Sequence, residues 1–369
     1  MKQLQIVPQI YSFETFSEFD RKFHISKKDL IISSRHIFDP ILENNMLECS
    51  VLYHEDYGKG EPDDTMVNGI LKAVSGNRYD RIIVVGGGSV IDIGKIVAVA
   101  DGECDVDKLY EKMFRLSSAS ELIIIPTTCG TGSEMTNISI VNRTKLNAKQ
   151  GLVSEAMYAK YAILISEFME SLPYKVFATS SIDALIHAVE SYLSPLATPY
   201  TEMYSIEAIR MILSGYRKVA EDKDNYKKLG EKFLLASNYA GIAFGNAGCG
   251  TIHAMSYAFG GKYHVAHGES NYQFFIPVLE FYKEEKPEGK IAELERLLKE
   301  VLNSNDGFAT LKELLENILR HKPMSEYGAS EEDLMSFSTG TIYNQQRLLS
   351  RSYVPMSIES IYRIFKNCL

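Results

Sequence analysis

A chain of 369 residues is long for a single hydrophobic core, so two domains are the natural expectation. Hydrophobic residues make up 45% and charged residues 24%, ordinary values for a globular protein, and these set aside disordered and membrane classes. The net charge of -9 comes without any basic run, which argues against a nucleic-acid face.

The first part of the chain alternates strand-like and helix-like pieces. Asp29 to Ile32 and Cys49 to Tyr53 read as short strands, and Thr65 to Ser75 has helical spacing through Met66, Ile70 and Val74. Arg81 to Val85 is a strand, Gly86 to Gly88 a turn and Ser89 to Ala100 a helix, and Leu122 to Ile125 is a further apolar strand. Apolar strands alternating with helices predict a parallel sheet covered on both faces. After Ala162 to Ile165 the strand signals stop. From Pro173 the chain reads as successive helices, including Thr201 to Lys218, Phe233 to Phe244 and Ile291 to Val301. The expected organisation is an α/β N-terminal dinucleotide-binding domain with a parallel sheet over residues 1-170, then an all-α C-terminal metal domain over 171-369.

Five cysteines, odd in number and with no C-x-x-C pair, speak against a disulfide framework and for a reducing compartment. The N-terminus has no long apolar core, and the longest apolar runs are too short to span a bilayer. The expectation is a cytoplasmic protein. Cys129 and Cys249 fall inside the glycine-rich segments below and read as small buried residues, not nucleophiles.

Two segments carry nucleotide chemistry. RIIVVGGGSVIDIGK, Arg81 to Lys95, runs from a strand through three glycines into a helix. Glycines let the backbone approach an anion, and the first helical N–H groups point at it. Ser89 and Asp92 have capping-box spacing, which places the helix start at Ser89. Alone the segment also reads as a tight turn, since it is not G-x-G-x-x-G. LIIIPTTCGTGSEMTN, Leu122 to Asn137, leaves a second strand into Thr127, Thr128, Thr131 and Ser133, with Gly130 and Gly132 allowing close approach. Two such loops at the ends of parallel strands describe a nucleotide crevice.

The metal signal builds in two halves. In TSSIDALIHAVESYLS, Asp183 and His187 lie four apart on one helix face, with Glu190 following on much the same side. Alone, the pair reads better as a hydrogen bond along the helix, which has Ser or Thr near its expected cap. Gly248 to Asn271 then places His253, His264 and His267 within fifteen residues of a chain that owns only eight histidines. Gly260-Gly261 is expected to turn the chain so that His253 and His267 face each other. One carboxylate and three imidazoles suit Fe(2+), Zn(2+) or a similar divalent ion.

GGGSVID with Lys95, PTTCGTGSE, DALIHAVESY and HAMSYAFGGKYHVAHGESN resemble the iron-containing (group III) alcohol dehydrogenases, over nearly the whole chain. The resemblance implies the two-domain architecture those enzymes share with dehydroquinate synthases, with the active site in the cleft between the domains. It implies metal ligation by Asp183, His187, His253 and His267, and NAD contacts at Gly87, Gly88, Ser89, Asp92, Thr127, Thr128, Thr131 and Lys149. It further implies reversible oxidation of 4-hydroxybutyrate by NAD to succinic semialdehyde, with a broader primary-alcohol or diol activity as the alternative, and a homodimer or higher homo-oligomer. A transient-redox lyase of the dehydroquinate synthase kind is the third reading. It would need a basic cluster for a phosphate-bearing substrate, and none is evident.

Two departures from the family pattern stand out. Many relatives carry a proton-relay histidine four residues after the third ligand, where this chain has Tyr257, so proton transfer is expected through His264, a water or the cofactor ribose. Many also carry an Asp at the end of the second strand, where this chain reads Ile32-Ser33-Ser34-Arg35 and Arg35 could attract the extra phosphate of NADP. A substrate carboxylate should meet a cation. Lys262 and His264, beside the metal loop, are the first candidates, while Arg347 and Arg351 read better as solvated surface charges.

Overall fold

The computed structural model describes residues 2–146 and 148–369. The chain divides into two units, Ile6–Leu172 and Pro173–Leu369, the latter joined by the N-terminal residues up to Gln5. The sequence reading puts the boundary near residue 170. It does not anticipate that the N-terminal stretch sides with the helical unit, where the Gln5 N–H donates to Asn246 Oδ1 at 2.7 Å and Asn246 Nδ2 donates back to the Gln5 carbonyl at 3.0 Å.

The first unit is built on strands β1 (Gln9–Phe13), β2 (Asp29–Ser33), β3 (Ser50–Tyr53), β4 (Arg81–Gly86), β5 (Glu121–Pro126) and β8 (Tyr161–Ile165). They form one six-stranded sheet of order β1-β8-β5-β4-β2-β3, every pair parallel. Ile82 to Val85 and Leu122 to Ile125 are fully buried, as a sheet with both faces covered requires. Helices α1 (Phe16–Phe23), α2 (Arg35–Asn44), α3 (Asp64–Val74), α4 (Gly88–Val99), α5 (Val106–Glu111) and α6 (Glu167–Glu170) complete the unit with β6 (Ile138–Arg143) and β7 (Ala148–Val153), which pair antiparallel.

From β2 the chain runs to β3 on one side and then to β4, β5 and β8 on the other. The strand order therefore reverses between β2 and β4, which is where open sheets bind nucleotides. Register pairs Gly86 with Pro126, so the two glycine-rich loops leave adjacent strands side by side.

The sequence reading misses β1, β6 and β7. β1 is an edge strand with its residues half-exposed or exposed, so it lacks an apolar run. β7 (AKQGLV) is polar and contains a glycine, and its extended form comes from pairing with β6. One cap also differs. α4 begins at Gly88 after Gly87, which places Ser89 inside the helix and removes the expected capping box; no side chain caps this terminus.

The second unit contains no strand among the described residues. Its helices are α7 (Tyr174–Leu193), α8 (Pro199–Glu221), α9 (Asn225–Lys228), α10 (Gly230–Ala247), α11 (Thr251–Tyr263), α12 (His267–Glu285), α13 (Lys290–Leu302), α14 (Gly307–Ile318), α15 (Glu331–Asn344), α16 (Gln346–Leu349) and α17 (Ile358–Asn367). α8 starts two residues earlier than its apolar rhythm suggests, because Thr198 caps it, forms a capping box with Thr201 and is followed by Pro199 at the first helical position. α7 starts at Tyr174 after Pro173, so Thr179 to Ser181 lie inside it and do not cap it. Gly260 and Gly261 lie within α11, and the chain reverses instead at His264, in the left-handed region at φ 53°. Among the described residues, no helix is long and apolar enough to cross a membrane.

Candidate functional site

Three helices of the second unit converge on one polar cluster. α7 presents Asp183 and His187 one turn apart, α11 presents His253, and α12 presents His267 at its first position. Asp183, His187 and His253 are buried and His267 is half-buried, and one ligating atom from each lies within 4.8 Å of all the others. Gly268 makes this approach possible. A Cβ there would stand 2.3 Å from the Thr179 carbonyl and 3.3 Å from Asp183 Cβ, so only glycine lets the start of α12 come this close to α7.

The spacing fits a metal. His253 Nε2 lies 3.0 Å from His187 Nε2 and 3.7 Å from Asp183 Oδ1, and His267 Nε2 lies 3.9 Å from Asp183 Oδ1. Ligands about 2.1 Å from a tetrahedral ion stand roughly 3.4 Å apart, and the three distances bracket that edge. The electrostatics agree. Burial pushes the Asp183 carboxyl up, but His187, His267, His253 and Asn271 together hold it below the usual range. Burial opposes charge on His253, yet Cys249 and Glu190 carry its pKa well above the usual histidine value.

Two further residues shape the site, and the sequence reading noted neither role. Glu190, one turn beyond His187, places Oε2 2.6 Å from His253 Nδ1 and accepts the Ile252 N–H on Oε1 at 2.7 Å. It thereby holds the His253 ring and the first turn of α11 at once. Asn271 Nδ2 donates to Asp183 Oδ1 at 2.7 Å and lies 3.1 Å from His253 Nε2. The signals were present as i, i+3 from His187 and i, i+4 from His267. Around these groups, Phe244 stacks on His187 with ring centroids 4.3 Å apart, and Tyr257 lies 6.1 Å from the His267 ring.

His264 does not join this cluster. It occupies the left-handed corner between α11 and α12, which leaves its side chain exposed. Lys262 is bound to Asp333, which also accepts the Tyr263 hydroxyl at 2.6 Å. Cys249 is buried, as expected, but it has neighbours that sequence proximity did not reveal: its thiol lies within 4.8 Å of Glu190 and His253.

In the first unit, the loops after β4 and β5 touch. A Cβ on Gly87 would lie 3.3 Å from Thr128 Cγ2, and one on Gly88 2.8 Å from Thr131 Cγ2. The uncapped α4 terminus opens into this cradle, and the Thr127 hydroxyl is buried without a hydrogen-bond partner. Bare N–H groups and an orphan hydroxyl fit a bound pyrophosphate. Asp92 is half-buried one turn further on, and burial raises its pKa against the pull of Lys95. Lys95 is fully buried and donates to Thr136 Oγ1 at 2.9 Å and to the Ile138 carbonyl at 2.8 Å, so it ties α4 to β6. Lys149, on β7, forms an ion pair with Glu61.

At the end of β2, Arg35 is not available as an open cation. Asp56 grips its guanidinium through two hydrogen bonds of 2.7 and 2.8 Å, Glu55 accepts its backbone N–H at 2.7 Å, and the group lies over the Tyr53 ring.

Residues 9–166 match the family profile described as iron-containing alcohol dehydrogenase, and residues 177–369 match the C-terminal profile of the Fe-containing alcohol dehydrogenase family. The chain is 45% identical over 369 residues to 4-hydroxybutyrate dehydrogenase of Clostridium kluyveri, covering 99% of both chains. Its fold is similar to that of an alcohol dehydrogenase from Oenococcus oeni (TM-score 0.86, 23% identity, 99% of this chain and 100% of the other). It is also similar to sulfoacetaldehyde reductase from Bifidobacterium kashiwanohense, solved in complex with NAD+ (TM-score 0.85, 19% identity, 100% and 99% covered). With a convergent Asp-His-His-His cluster and full-length matches of this kind, the chain belongs to the iron-containing alcohol dehydrogenase family.

Proposed function

We propose that this alcohol dehydrogenase reversibly oxidises 4-hydroxybutyrate to succinic semialdehyde. Asp183, His187, His253 and His267 hold a divalent metal, and the Gly87–Ser89 and Thr127–Thr131 loops hold NAD+. The observation that carries the substrate is the 45% identity to the Clostridium 4-hydroxybutyrate dehydrogenase along the whole chain. NAD+ is favoured over NADP+ because Asp56 neutralises Arg35 and Glu55 adds a further negative charge beside it.

A divalent metal held by Asp183, His187, His253 and His267 would supply the Lewis acid that makes the substrate hydroxyl acidic, and NAD+ would supply the hydride acceptor. The remaining work falls to the chain. Glu190 keeps a proton on His253 Nδ1, so Nε2 presents its lone pair to the site. Asn271 fixes the Asp183 carboxylate. Phe244 and Tyr257 set ring faces beside the ligand rings.

The test is NADH formation by metal-stripped and metal-reconstituted protein, with 4-hydroxybutyrate against 1-butanol. The expected result is turnover only after reconstitution, with a marked preference for 4-hydroxybutyrate. Undiminished turnover after stripping sinks the metal assignment, and equal use of both alcohols sinks the substrate.

A further inference from the structure

A substrate of this class places distinct demands on its site. The hydroxyl end lies at the metal, three methylenes need apolar surroundings, and a carboxylate follows about 5 Å from the hydroxyl oxygen. That carboxylate needs a cation not already neutralised by the protein. Lys262 fails this requirement, because Asp333 holds it. His264 fails it by position at the exposed corner.

Arg351 and Arg347 meet it. Among the described residues no ion pair joins a carboxylate to Arg351 or Arg347, the charged groups that act on Arg351 are Arg347 and Cys249, and Arg351 Nε is buried without a hydrogen-bond partner. The Arg351 side chain lies against Gly248, where a Cβ would stand 2.3 Å from Nη1 and 2.4 Å from Cδ; with φ of 80°, this position takes glycine on both counts. The next residue, Cys249, has its thiol within 4.8 Å of His253 and Glu190. The segment is also stapled to the helix that carries a metal ligand. Thr251, the first residue of α11, shares a 2.7 Å hydrogen bond with the Ser352 hydroxyl and accepts another from Tyr282 at 2.7 Å. Leu348 and Leu349, which lie between the two arginines in sequence, belong to a small apolar cluster in which Phe244, Tyr257 and Leu349 pack on Cys249, Ala254 and Leu348. Phe244 and Tyr257 are the same rings that border His187 and His267.

We propose that Arg351, assisted by Arg347, binds the substrate carboxylate, with the Phe244–Tyr257–Leu349 surface against its methylenes; this rests on the function proposed above. Burial and the Arg347 charge both push the Arg351 guanidinium below its usual value, an unfavourable state that a bound anion relieves. Arginine suits the task, because its planar fork meets a carboxylate through two hydrogen bonds.

The experiment compares succinic semialdehyde with butanal as substrates for the metal-loaded wild type, Arg351→Met, Arg347→Met and Arg351→Lys, together with calorimetric binding of butyrate. For Arg351→Met we expect kcat/KM for succinic semialdehyde to fall about 100-fold, chiefly through KM, while butanal changes by less than about 3-fold. Butyrate binding should disappear with it. Arg347→Met should show the same selectivity at about 10-fold, and Arg351→Lys should recover part of the loss. Equal losses on both aldehydes, or no loss on either, overturn the proposal. If Arg351→Met does not fold, exposed Arg347 carries the test alone: a selective loss supports the proposal and its absence overturns it. A wild type that does not distinguish the two aldehydes overturns the function reading and the inference with it. A wild type that does, with variants that keep the preference, overturns only the inference.

Discussion

Glu190 and His253 meet at 2.6 Å in the interior of the helical unit, and the other oxygen of Glu190 accepts the backbone N–H of Ile252. One carboxylate therefore sets both the ring orientation of a proposed metal ligand and the position of the helix beneath it. Glu190→Gln keeps the size but loses the charge that holds the Nδ1 proton. It should weaken metal binding by about 10- to 100-fold, read as metal affinity by calorimetry and independent of turnover. Unchanged affinity would show that the ring is held by packing against His187 and His267.

The loops after β4 and β5, the proposed nucleotide cradle, make a separate prediction. Gly88→Val would drive a branched side chain into Thr131 and the space before α4. Calorimetry should show NAD+ affinity lowered at least about 10-fold, since the backbone N–H groups can no longer approach a pyrophosphate, while metal affinity stays at the wild-type value. Parallel losses of both would mean that the substitution disturbs the whole chain.

Arg35 offers a test of cofactor choice. Asp56→Asn releases the guanidinium from its two charge-assisted bonds and leaves Glu55 in place. The ratio of kcat/KM for NADP+ to that for NAD+ should rise about 10-fold, because a 2′-phosphate gains an unpaired cation. A ratio that does not move removes the end of β2 from the determinants of selectivity.

Asp333 predicts a pH dependence of stability. Its carboxyl is held down to about 2 by Lys262 and by the Tyr263 hydroxyl, against a usual value of 3.8. With the folded pKa depressed, the native state binds fewer protons than the unfolded chain between those values. The contribution is fully present above about 4 and is lost as pH falls through 2. The difference in thermal midpoint between wild type and Asp333→Asn should therefore be constant at neutral pH and shrink below pH 4. A difference that stays constant into acid would assign the effect to packing.

Much of this was legible beforehand. Ile82 to Val85 and Leu122 to Ile125 announce buried parallel strands, because a strand covered on both faces has no polar side to show. β1 and β7 were not legible, since an edge strand and a polar hairpin arm take their extended form from a partner. The helical unit was readable from 3.6-residue periodicity, but its corners were not. Gly260-Gly261 looks like a turn, yet both residues continue α11 and the left-handed residue is His264.

The sequence by itself determined the chemistry available: four metal-competent side chains at helical spacing, and two glycine- and hydroxyl-rich loops after apolar strands. Such patterns are local, so residue order reveals them. Only the tertiary structure decided which charged groups already have partners. Asp333 neutralises Lys262, Asp56 neutralises Arg35, and among the described residues no acid pairs with Arg351, although all three are cations of similar standing in the chain. Their counter-charges lie 71 and 21 residues away in the first two cases. Charge compensation depends on distance in space, and linear order does not encode it.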